Sequence, residues 1–181
     1  MLDVTYPQAG ATGELLRRVA GAAAPPPVLP HGYRHLRYRT RLRPGSFPVA
    51  ARAVLTWRMH RTAGARVTAT APHAAPGVQV SVALGVGPLR LVAPCVVVWA
   101  VDDADRAGFA YGTLPGHPAS GEEAFLVERR GEHTWLSVVA FSRPVAPIMR
   151  LAGPLAALAQ RGYAWRLGVA LRRLSETGER A

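Results

Sequence analysis

From His133 to Leu174 the chain reads HTWLSVVAFSRPVAPIMRLAGPLAALAQRGYAWRLGVALRRL, and its apolar period changes part-way along. HTWLSVVAFS has the period of two that lays side chains alternately on the faces of a strand. Beyond it Ile148, Leu151, Leu155, Leu158, Trp165 and Val169 recur at helical spacing, with Arg150, Arg161, Arg166, Arg172 and Arg173 supplying a polar side. The reading is a strand feeding a helix from about Val145 to Leu174, kinked where Gly153 and Pro154 interrupt the ladder.

Backwards from this stretch, period two dominates. ARVTATAP from Ala65, GVQVSVALGVG with Val78, Val80, Val82 and Leu84 on one face, LRLVAPCVVVWAV, RAGFAYGT and GEEAFLVERR are separated by short connections rich in Gly, Pro or Asp. Consecutive antiparallel hairpins follow, a meander of about six strands. Earlier, YRHLRYRTRLRPG alternates Leu36, Tyr38, Thr40 and Leu42 with Arg37, Arg39, Arg41 and Arg43, which is a further strand with one face all arginine. Ser46 and Pro48 open a helix to about Arg58, and Phe47, Ala50, Val54 and Trp57 share its apolar side. At the start, Thr12 caps a short helix through Ala20, which AAAPPPVLPHG cannot continue.

The order strand, helix, antiparallel meander, long helix is that of an α+β helix-grip fold, a curved sheet of six or seven strands wrapped on a kinked C-terminal helix with a cavity between them. The length of 181 residues suits one domain: residues 1–32 as helix and Pro-rich arm, 33–181 as the helix-grip core.

Composition narrows the function. All 22 basic residues are Arg, against 11 acids; twelve Arg and no carboxylate lie between Leu15 and Val101, while seven acids fall between Asp102 and Glu132. A basic half thus meets an acidic segment, although the absence of Lys also reads as codon bias. The single Cys95, in an apolar run, excludes an internal disulfide and reads as a buried thiol. The N-terminus lacks a signal-peptide pattern and no uninterrupted apolar run reaches the ~20 residues of a membrane span, so a soluble cytoplasmic protein is expected.

Three stretches, YPQAGAT, GFAYGTLPGHPASGEEAFLVE and AFSRP followed by GPLAALAQRGY, carry a resemblance to uncharacterised protein family 0548. The resemblance implies no agreed activity; it implies a loose alliance with the helix-grip superfamily of lipid-transfer, polyketide-cyclase and hormone-binding domains.

The middle stretch also holds the candidate site. Two strands meet there at a loop, Leu114 to Ser120, that displays His117 between Gly116 and Pro118. Glu122 and Glu123 point to opposite faces, and Glu123 shares a face with Phe125 and Val127, which directs it inward. Tyr111, His117, Glu122, Glu123 and Arg143 are therefore the candidate ligand-binding residues, with His117 as a candidate proton donor or acceptor and Glu123 as its partner or a general base. Their alternative reading is structural: Glu123 pairs with Arg143 or Arg106 and the loop only shapes a hairpin. Neither Ser120 nor Ser142 sits in a nucleophile elbow. His31 and His35 lack a helix to align them, and His60, His73 and His133 are read as surface residues, so neither metal nor cofactor is expected. GVGPLR does not match a phosphate loop.

The favoured partner is a small apolar or amphipathic molecule held in the cavity. A cofactor-free cyclase, isomerase or hydrolase using His117 and Glu123 is the alternative. Arg37, Arg39, Arg41 and Arg43, spaced ~7 Å apart, offer an anion or membrane face, yet without an aromatic stacking platform they imply no specific nucleic acid.

Overall fold

Among the described residues seven strands, β1 (Arg34–Leu42), β2 (Arg66–Ala69), β3 (Gln79–Leu84), β4 (Leu91–Asp102), β5 (Arg106–Thr113), β6 (Ala119–Arg130) and β7 (His133–Pro144), form one antiparallel sheet. Their order across it is β1-β7-β6-β5-β4-β3-β2. The structure is a computed structural model and describes residues 3–19, 32–85, 87 and 90–177. The proline run and His31 lie outside the described residues. Strands β2 to β7 make the expected meander, and β1 adds to the far edge by pairing with β7, Arg34 opposite Ser142 and Leu42 opposite Thr134. A register shift in β4 between Val97 and Trp99 bends the sheet at its middle.

Helices cover both faces. α2 (Phe47–Leu55), α3 (Arg58–Thr62) and α4 (Pro147–Thr177) pack over the face carrying Val80, Val97, Phe109, Phe125, Val127, Leu136 and Val138. α1 (Ala11–Val19) covers the other with Leu15 and Leu16, against Ala110, Ala124, Leu126, Val139 and Phe141. That second layer explains why β5 is buried at every position after Arg106, where alternation alone would leave one face wet.

Four local expectations need correction. Thr12 is not the cap of α1 but lies inside it, its hydroxyl donating to Glu122. The single helix to Arg58 is two, because Trp57 adopts a left-handed conformation at φ 64°; this redirects the chain so that Trp57 meets Phe109 edge-on at 5.0 Å and Met59 and His60 enter the core. His60 is therefore no surface residue: it is fully buried. Finally, α4 kinks at Gly153 as expected (φ 48°, ψ −119°), but its apolar stripe faces outward. Leu151, Leu155, Leu158 and Trp165 are 88, 69, 63 and 56% exposed, whereas Ala164, Leu167, Ala170 and Leu171 are buried. The inner face combines Leu167 and Leu171 with the small Ala164, Gly168 and Ala170, and at Gly168 the helix sits close to the sheet: a Cβ there would stand 2.6 Å from the Tyr38 hydroxyl of β1.

Candidate functional site

Beyond its close contact at Gly168, the N-terminal half of α4 leaves the sheet and encloses a cavity of about 500 Å³. Its walls are largely apolar, with Val82 and Leu84 of β3, Leu91 and Ala93 of β4, Ala140 of β7, and Met149 and Leu155 of α4. The polar groups on its wall are Tyr111 and Glu123 from the sheet, His117 from the β5–β6 loop, and Gln160 and Tyr163 from α4, with Arg34, Thr113 and Ser142 also lining it.

Glu123 faces inward, as alternation requires. The Tyr111 hydroxyl donates to its Oε2 at 3.0 Å, and Gln160 supplies a second hydrogen bond. Burial nevertheless dominates and pushes the Glu123 carboxyl up to about 7, the two hydrogen bonds opposing it. The anticipated ion pairs do not form: Arg143 lies over the Tyr33 ring at 5.2 Å, and Arg106 pairs with Asp103 at 2.7 Å near the far end of the sheet. Around Glu123 the hydroxyls of Tyr111 and Tyr163 are held above their ordinary range, first by burial and then by this carboxylate. Among the described residues the buried Tyr163 hydroxyl has no hydrogen-bond partner. Cys95 is buried, as expected, and burial raises its thiol.

His117 lines the same cavity, but its Nδ1 is taken by the turn, accepting from the Ala119 N–H at 2.9 Å with the Ala119 carbonyl oxygen 2.7 Å away. Burial lowers its pKa and the Ala119 backbone opposes that shift. Among the described residues no hydrogen bond joins His117 to Glu123.

Glu122 behaves differently. It is buried on the α1 face, where its carboxylate accepts from the Tyr6 hydroxyl at 2.6 Å, the Gly10 N–H at 2.7 Å, the Thr12 N–H at 3.0 Å and the Thr12 hydroxyl. It is the cap of α1, supplied by a strand instead of by the helix itself. Phe141 packs edge-on to Tyr6 at 5.3 Å, so YPQAGAT, GEEAFLVE and AFSRP converge on one point. Ser120 joins them, donating to the Thr5 carbonyl at 2.9 Å. Of the ligand-binding candidates, then, Tyr111, His117 and Glu123 are brought together, while the Glu122 carboxylate and Arg143 are occupied elsewhere. Arg37, Arg39 and Arg41 are confined to the opposite face of β1, Arg39 stacked over Trp135 at 4.4 Å, and Arg43 follows the strand. Gln160 and Tyr163 went unread although they lie in AQRGY at i, i+3 spacing, which aligns them on one helix face.

His60 is the other residue that sequence reasoning missed. Phe109, Tyr111 and Phe125 surround its ring, the nearest centroid 4.7 Å away, and neither ring nitrogen has a hydrogen-bond partner among the described residues. Burial, with a smaller contribution from Arg61, lowers its pKa to about 3, so it is neutral.

The model of a domain of unknown function, DUF1990, matches residues 5–170. A UPF0548 protein of Deinococcus radiodurans is 52% identical over 66 residues, which is 36% of this chain and 33% of that protein's length. Among solved structures, a hypothetical protein of Helicobacter pylori superposes with a TM-score of 0.62 at 9% identity, over 78% of this chain and 88% of that one. A point mutant of norcoclaurine synthase from Thalictrum, in complex with a transition-state analogue, gives 0.60 at 9% identity over 83% of this chain and 99% of the other. The structure named Ara h 8.0201 gives 0.59 at 10% identity, over 81% and 99%. Identities this low speak for the helix-grip fold alone. The family match, which runs through the α1 cap, the cavity and most of α4, decides membership: the chain belongs to the DUF1990 family of unknown function.

Proposed function

We propose that the cavity binds a small, largely apolar molecule and orients one neutral polar group of it against Tyr111, Glu123, Gln160 and Tyr163. The observation that carries this reading is a cavity of about 500 Å³, within the range of small-molecule sites, whose apolar wall is interrupted by one carboxyl cluster. A carboxyl with a pKa of about 7 is present in both forms at neutrality, so it donates to a carbonyl or accepts from a hydroxyl. At Glu123 itself an anionic group is disfavoured, because it would sit beside the ionised fraction of that carboxyl in a poorly solvated site, whereas Arg34 on the cavity wall donates to the Gly153 carbonyl. Native mass spectrometry of protein purified from its own host tests the proposal. The expected result is a retained species of a few hundred daltons, lost when Ala140→Trp fills the cavity. Protein that is ligand-free and also fails to take up an apolar fluorescent probe would remove this reading.

A second reading, cofactor-free catalysis of cyclase, isomerase or hydrolase type, has one observation in its favour. His117 is shifted down and Glu123 up, the separation of pKa values that assigns a base and an acid within one site. His117→Ala and Glu123→Gln, made separately, are then expected to abolish conversion of a metabolite in a host extract while both variants stay folded, Glu123→Gln melting no lower than the wild type at neutral pH. Unfolding of both variants would make the two residues structural.

A further inference from the structure

Every described large apolar side chain exposed on this protein, Trp165 excepted, sits at one end of the sheet. Leu91 and Val92 open β4, Val145 follows β7, and Leu151, Leu155 and Leu158 form the outer stripe of α4, all between 40 and 88% exposed. Antiparallel pairing fixes that end as the one holding the β5–β6 loop and the cavity mouth, since Leu91 and Leu155 both line the cavity. A cluster of this kind on a protein surface marks an interaction site.

Its charge is of one sign. No carboxylate occurs from His133 through Ser175, whereas Arg90, Arg150 and Arg161 are exposed around the cluster. Arg34 and Arg161 share a shallow groove with Pro154 and Leu158, and Arg34 also donates to the Gly153 carbonyl at 2.9 Å. Most acids that could neutralise a neighbouring copy, Asp102 to Asp105 and Glu128 to Glu132, are at the opposite ends of the same strands, Asp3 on the segment before α1 being the exception. A symmetric dimer through this end would therefore bring like charges together. Leucines ringed by guanidinium groups instead fit a surface that is apolar within and anionic at its rim.

We infer that this end of the molecule docks on an anionic phospholipid bilayer, Leu151, Leu155 and Leu158 entering the acyl boundary and Arg150 and Arg161 meeting lipid phosphates. The inference stands apart from the ligand reading, because of its docking residues only Leu155 also lines the cavity, while Leu151, Leu158, Arg150 and Arg161 do not.

Vesicle flotation at ~150 mM salt tests it, with vesicles of phosphatidylcholine alone and of phosphatidylcholine containing about a third phosphatidylglycerol. The protein is expected to float with the anionic vesicles and not the neutral ones. Leu151→Gln with Leu158→Gln, and separately Arg150→Gln with Arg161→Gln, are each expected to lower the bound fraction about tenfold or more while melting like the wild type. Arg37→Gln with Arg39→Gln and Arg41→Gln, on the other face of the sheet, is expected to float nearly as the wild type does. Failure of the wild type to float would overturn the inference, and so would binding lost only in the triple β1 variant. A concentration-dependent dimer dispersed by the leucine variant, with no flotation, would assign the face to a second copy and equally overturn it.

Discussion

His60 and Glu123 are two buried titratable groups whose native pKa values are displaced in opposite directions, to about 3 and about 7. Below about pH 6.5 an unfolded chain protonates His60 and the native state does not, so stability falls as the pH drops toward 3, by roughly 1.4 kcal/mol per unit. For Glu123 the native state keeps the proton longer. Its contribution is complete below about pH 4.3 and is lost as the pH rises through 7, with a similar slope of opposite sign. Between about pH 4.5 and 6.5 the two slopes cancel. Urea midpoints at pH 5 and pH 6.5 are therefore expected to be nearly equal in the wild type, to fall with pH in His60→Leu and to rise with pH in Glu123→Gln. Parallel profiles in all three would refute the assignment. At this scale the sequence was informative about Glu123, because period two fixes which side of β6 it faces. It was silent about His60, because nothing in AVLTWRMHRT announces a left-handed residue, and without that turn a histidine flanked by arginines reads as solvated.

The elements were legible wherever one period ran uninterrupted, as in β3 and β6, and misread wherever tertiary contact decided between two apolar surfaces. α4 is the case in point. Its exposed leucine stripe is the stronger pattern, yet the sheet takes Ala164, Leu167, Gly168 and Leu171, a face on which Gly168 leaves room for Tyr38 and Thr40. Two glycines of this helix separate the effects. Gly168→Ala places a Cβ 2.6 Å from the Tyr38 hydroxyl and 3.1 Å from Thr40 Cγ2, and is expected to cost about 1–3 kcal/mol by lifting the helix. Gly162→Ala meets nothing within 4 Å and is expected to stabilise by about 0.5–1 kcal/mol through helix propensity. Thermal unfolding of the pair reads the difference directly, and equal effects would deny the close approach. The cap of α1 is a comparable case: a sequence window around Thr12 cannot contain the acceptor, which lies 110 residues away.

For the whole molecule, we expect one cooperative unfolding transition, since α1, the sheet and α4 bury one another's faces. The charge of +11 is expected to produce only weak retention of nucleic acid at low salt that is gone near 150 mM, because Arg37, Arg39 and Arg41 run along a strand with Trp135 already stacked under Arg39. Sequence-selective binding at physiological salt would reverse that ranking. The pairing of β1 with β7, and of Tyr6 and Thr12 with Glu122, also has a consequence in time. The segments synthesised first have partners made about a hundred residues later, so β1 has no strand to pair with, and α1 no carboxylate to cap it, until the meander exists. Contacts of such sequence separation form slowly, and α1 should close over the sheet as a late step, after the rate-limiting barrier. Glu122→Ala is then expected to accelerate unfolding by orders of magnitude while the refolding rate barely changes, the kinetic signature of an interaction absent from the transition state. Slowed refolding would mean instead that the N-terminal helix helps to nucleate the fold.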